Sequence, residues 1–106
     1  MSDNFKDREK NFENKFAHDA ELQFKVEARR NRLLGEWAGE KLGKSGEELK
    51  LYATEVVKSD FEEAGDEDVF RKVSGDLSGK AEESEIRAKM TELMETAKQQ
   101  VMTELE

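Results

Sequence analysis

Gly43-Lys44-Ser45 has the ending of a phosphate-binding P-loop, G-x-x-x-x-G-K-[ST]. In that motif backbone N–H groups cradle phosphates and the lysine reaches the terminal ones. The spacing fails here. The motif needs a glycine where Ala38 stands, and Gly39 is one residue too close. The context fails too. A P-loop follows a buried strand, whereas "NRLLGEWAGEKL" is charged and helical in pattern. The same residues read well as a helix junction. Gly43 ends one helix in the left-handed conformation, and Ser45 with Glu48 makes a capping box for the next. That second start points N–H groups outward, so Lys44 and Ser45 stay candidates for weak phosphate binding.

Arg29, Arg30 and Arg32 form a basic cluster close to Trp37. Such a set could hold ADP or ATP by phosphate pairing and stacking. It could equally pair within the chain with the acidic run "FEEAGDEDVF". That run gathers Glu62, Glu63, Asp66, Glu67 and Asp68, but lacks the alternating D-x-D-x-D-G pattern of a calcium loop. Asp66, Glu67 and Asp68 fit better as negative charge at a helix N-terminus. The lone His18 has no cysteine and no second histidine with which to share a metal; it reads as a solvated surface group. No serine has a histidine base at a workable station, and no carboxylate pair is embedded in apolar sequence. These residues predict no catalytic group, no metal and no required cofactor, with an adenine nucleotide as the one candidate small ligand. The chain reads as a non-enzyme.

The elements that must position these groups are helices. The 106 residues are 35% hydrophobic and 42% charged, enough for one small domain with a thin core. There is no proline to break a helix by ring clash, and no cysteine for disulfides or thiolate sites. No run of alternating apolar residues has strand-like flanks. A net charge of −8 opposes binding to nucleic acid and to anionic membranes. Residues 1–30 hold no apolar run, which predicts no signal peptide and no membrane insertion.

Residues 1–16, "MSDNFKDREKNFENKF", have few apolar side chains besides Met1: Phe5, Phe12 and Phe16. Their separations of 7 and 4 put all three rings on one helical face. Lys6–Lys10 and Glu9–Glu13 are like-charge pairs at i,i+4. So few anchors do not offset the ordering entropy, which predicts a segment disordered alone and helical on a partner. Residues 17–42 read as one long helix with Ala20, Phe24 and Ala28 on its stripe and Gly35, Gly39 and Gly43 as a smooth strip for close packing. Residues 46–64 form the next, with Leu49, Tyr52, Ala53, Val56, Val57 and Phe61 inward and Gly65 closing it. Asp66 caps a third helix bearing Val69, Phe70, Val73 and Leu77; Ser84 caps a fourth running to the C-terminus from Ile86 to Leu105. The prediction is an all-α chain: a mobile tail over 1–16 and a small four-helix bundle over 17–106.

"FAHDAELQFKVEARRNRLLGEWAGEKLG" followed by "YATEVVKSDFEEAGDEDVFRKV" resembles the ζ subunit family of α-proteobacteria, small inhibitors of the F-type ATP synthase. The resemblance runs from Asp7-Arg8-Glu9 to "EIRAKMTEL". It implies a four-helix fold with a mobile N-terminal inhibitory segment. That segment enters a catalytic α/β interface of the soluble head, contacts the central rotor, and blocks rotation in the hydrolysis direction. It further implies a cytoplasmic chain, peripheral to the inner membrane. Carried onto this sequence, Phe5, Phe12 and Phe16 become apolar anchors, while Arg8, Glu9 and Lys15 set register through charge pairs. Two other readings are a nucleotide-sensing module and a helical adaptor with an idle tail.

Overall fold

The computed structural model describes residues 4–60 and 66–105, and side chains from residue 7 onward within those ranges. It contains α1 (Asn4–His18), α2 (Ala20–Lys41), α3 (Gly46–Ser59), α4 (Glu67–Asp76) and α5 (Glu83–Glu104), with no strand among the described residues. The predicted all-helical class holds; the described residues form five helices, with α1 in the segment expected to be a mobile tail. Phe61, Glu62, Glu63 and Gly65 lie outside the described residues, as does the predicted end of the second bundle helix.

Helix α2 is the spine. One cluster joins Leu34 and Ala38 of α2 to Tyr52 and Val56 of α3, to Val69, Phe70 and Val73 of α4, and to Ile86 and Met90 of α5. A second joins Leu22 and Val26 of α2 to Ala97, Val101 and Met102 of α5 and to Phe12 of α1. The early half of α2 thus meets the late half of α5, so the two run antiparallel. Ion pairs agree: Arg29 reaches Glu104 near one end and Lys41 reaches Glu85 near the other.

The glycine strip works as the spacing predicts. A Cβ on Gly35 would stand 2.7 Å from the Ala53 Cα, so only glycine lets α3 approach α2 this closely. Gly43, with φ of +83°, ends the α2 junction in the left-handed conformation.

Local details depart from the sequence reading. The predicted helix over 17–42 is interrupted at Asp19, whose Oδ1 accepts from the N–H groups of Glu21 and Leu22 at 3.0 and 3.1 Å and caps α2. Ser45 occupies the α3 cap position but makes no side-chain bond, so the capping box is not closed. Helix α5 starts at Glu83, capped from Glu82, ahead of the predicted Ser84. Phe24 and Leu105, expected inward, are 57% and 50% exposed. The buried face of α2 runs instead through Leu22, Val26, Leu34 and Ala38.

Candidate functional site

Helix α1 lies on the end of the bundle that α3 and α4 leave uncovered. Its described residues contribute one buried side chain, Phe12, against Leu22, Val26, Ala97, Val101 and Met102. Phe16 is half-buried and stacks on Phe12 with ring centroids 6.3 Å apart. Lys98 of α5 closes the contact from outside. Its Nζ lies 4.8 Å from the centre of the Phe16 ring and 3.7 Å from the Glu13 carboxylate. Gln23 Nε2 donates to the Phe16 carbonyl at 2.7 Å, which satisfies an orphan acceptor in the last turn of α1.

Within the segment expected to be mobile, the residues described from Asn4 onward form a helix lying on the bundle. Two of its expected anchors, Phe12 and Phe16, lie against a groove within their own chain. The contact is nonetheless small. Arg8, Lys15 and most other described α1 residues face solvent, and Glu9 is half-exposed. The Phe5 side chain lies outside the described residues. A hollow of about 210 Å³ beside Phe12 is bordered by Arg8, Asn11, Lys15, Met102 and Leu105.

The candidate nucleotide residues do not form one set. Arg30 is 2% exposed, donating from Nη2 to Asp66 at 2.8 Å and from Nε to the Asn31 side-chain oxygen at 2.7 Å. This is the intramolecular pairing with the acidic corner that the sequence offered as the alternative. Arg29 donates to Gln100 and Glu104 at 2.8 Å each. Arg32 is exposed on a groove beside α1. Trp37 lies far along α2 between the ammonium groups of Lys41 and Lys89, 5.3 and 5.6 Å from its ring. Lys44 lies 6.0 Å from the Tyr52 ring, and Ser45 is exposed at the start of α3.

Around Arg30 the electrostatics are strained. Glu27 is held above the ordinary glutamate value of 4.5 by burial, then by repulsion from Asp60 and Asp66, with Arg30 opposing. Burial also raises Asp60 from 3.8, with Asp68 and Asp66 adding and Asn31 and Arg30 opposing. At the other end of α4, Tyr52 donates its hydroxyl to Asp76 at 2.8 Å, and burial pushes its phenol well above the ordinary value of 10.0. Among the described residues no group of three His, Cys, Asp or Glu could hold a metal ion, and no helix is long and apolar enough to cross a membrane.

A family model for ATPase inhibitor subunit zeta matches residues 1–100. The chain belongs to this family. The matched stretch takes in α1 and most of α5. A protein solved by solution NMR is 64% identical, covers 78% of this chain and 98% of that one, and superposes with a TM-score of 0.74. No curated protein matches. Membership supports a role as an inhibitor of the F-type ATPase, that is, a regulatory protein. Sequence reasoning missed Asp19, which caps α2, and Gln23 and Lys98, which seat α1. The signal for the first was present: Asp19-Ala20-Glu21 before an apolar stripe is an N-terminal cap pattern.

Proposed function

We propose that this zeta-family chain inhibits ATP hydrolysis by letting α1 leave its groove and insert, as a helix, into a catalytic α/β interface of the ATP synthase head. There it blocks rotation in the hydrolysis direction. Phe12 and Phe16 are the apolar anchors, joined by Phe5, with Arg8, Glu9 and Lys15 pairing along the walls. The bundle stays outside the cleft as a grip and a plug.

The observation that carries this reading is the junction at Asp19. One non-helical residue separates α1 from α2, and its own carboxylate caps α2. Helix α2 therefore keeps its cap when α1 departs, and the movement needs no other helix to change. Among the described residues of α1 only Phe12 is buried. Because α1 is already helical when docked, insertion costs undocking rather than the whole of helix formation.

The test is ATP hydrolysis by the purified soluble head, with the full chain and with a chain starting at Asp19. Inhibition by the first and not by the second is expected. Equal inhibition by both would move the activity into the bundle and overturn the role of α1.

A further inference from the structure

An open groove of about 580 Å³ runs beside α1 along α2. Its apolar floor is Leu22, Ala28 and Val57, with the half-exposed Phe24 and Leu105 on its lips. Lys25, Arg29 and Arg32 follow one another at i, i+4 and i+7 on α2, so they form a ladder about 10 Å long. Lys15 lines the same groove from α1. Among the described residues no carboxylate pairs with Lys15, Lys25 or Arg32. Arg29, the middle rung, already pairs with Glu104, so Lys15, Lys25 and Arg32 are the cations left unpaired over this apolar floor, a local reversal of sign in a chain of net charge −8.

We propose that this groove docks an acidic amphipathic helix of the ATPase head, and so rests on the inhibitory reading above. Carboxylates at i and i+7 of such a helix match Lys25 and Arg32, while its apolar face covers Ala28, Val57 and Phe24. A polyphosphate matches less well. Its charge is concentrated, whereas these cations are strung out. The N-terminal N–H groups of α2 are already bonded to Asp19 Oδ1, and Asp19 and Glu21 place carboxylates on the rim. An anionic membrane matches less well because the rest of the chain repels it. Lys25, Arg29, Arg32 and Phe24 all belong to α2, so the ladder persists when α1 leaves. It gives the bundle a hold on the head in both states and steers the first encounter.

The experiment is the affinity of the full chain for the purified soluble head at low and high salt. Wild type is compared with Lys25→Glu/Arg32→Glu, and thermal melts of both confirm folding. The expected result is about ten-fold weaker binding by the variant at low salt and a flatter salt dependence. Lys25→Ala/Arg32→Ala replaces it if the reversal does not fold, with a smaller loss in the same direction. A variant that binds as wild type does, with the same salt dependence, overturns the proposal. So does an unchanged affinity for the head combined with lost retention on phosphatidylglycerol vesicles, which would assign the groove to lipid. A wild-type chain that neither binds nor inhibits the head would instead remove the inhibitory reading itself.

Discussion

The Lys98 ammonium lies 4.8 Å from the centre of the Phe16 ring, and this contact ties the last turn of α1 to α5. The same ammonium is 3.7 Å from Glu13, on the turn before. Each contact is partly exposed, so together they are worth on the order of 1 kcal/mol. Lys98→Glu reverses both. It should raise hydrogen exchange of α1 amides by several-fold while leaving amides around Leu34 and Ile86 unchanged. Because undocking precedes insertion, the same variant should inhibit somewhat more strongly than wild type. Exchange measured by mass spectrometry and a hydrolysis titration read the two effects.

Phe12 is asked to serve in two places, its own groove and the partner's cleft. Phe12→Ala should therefore undock α1 without strengthening inhibition. Protection of α1 amides should be lost, and inhibition of the soluble head should weaken by about ten-fold or more. Unchanged potency in a hydrolysis titration would show that Phe12 is an anchor only within the chain.

The glycines separate by what a methyl group would strike. At Gly35 it would meet the Ala53 backbone at 2.7 Å, so Gly35→Ala must push α3 off α2, a loss of about 1–3 kcal/mol. At Gly39 it would meet the Leu49 Cδ1 at 2.5 Å, the end of a flexible side chain that can turn aside, so the cost should be smaller. At Gly75 nothing lies within 4 Å, so Gly75→Ala should stabilise α4 by about 0.5–1 kcal/mol. Urea denaturation of the three variants should rank them in that order.

Stability should rise as pH falls from neutral into the weakly acid range. Glu27 and Asp60 have raised values in the folded chain, chiefly through burial. Such groups take up protons in the folded state before the unfolded one, so their penalty is felt above their folded values and relieved below. Glu67 acts oppositely. Its hydrogen bond from Arg87 lowers its value, so its contribution is lost as pH falls through and below the ordinary range. Thermal melts should show a maximum in weak acid and a decline below it. Glu27→Gln/Asp60→Asn should flatten the rise between neutrality and the maximum.

Much of this arrangement is legible in the residue order. The α5 stripe from Ile86 to Val101, the close-packing role of Gly35 and the turn at Gly43 follow from period and glycine placement. The face of α2 does not follow as easily. Ala20, Phe24 and Ala28 repeat at i+4 as convincingly as Leu22 and Val26, and only the presence of α5 decides which set is covered. The charges offer a pairing of Arg30 with the acidic corner, but its burial with Asn31 in that face, where Asp66 and their mutual hydrogen bond satisfy the guanidinium, is a tertiary fact with no local signal. The docking of α1 is likewise invisible locally. Three aromatic residues at suitable spacing show that a groove is wanted, not that Met102 and Val101 of the same chain supply it.

The central claim is that α1 must leave the groove to inhibit. The chain has no cysteine, so Glu13→Cys/Lys98→Cys can be joined selectively with a short bis-maleimide across α1 and α5. The measurement is ATP hydrolysis by the soluble head with the joined and the unjoined forms of this one variant. The account predicts that the unjoined form inhibits and the joined form does not. Full inhibition by the joined form, with α1 held on its own bundle, would contradict it.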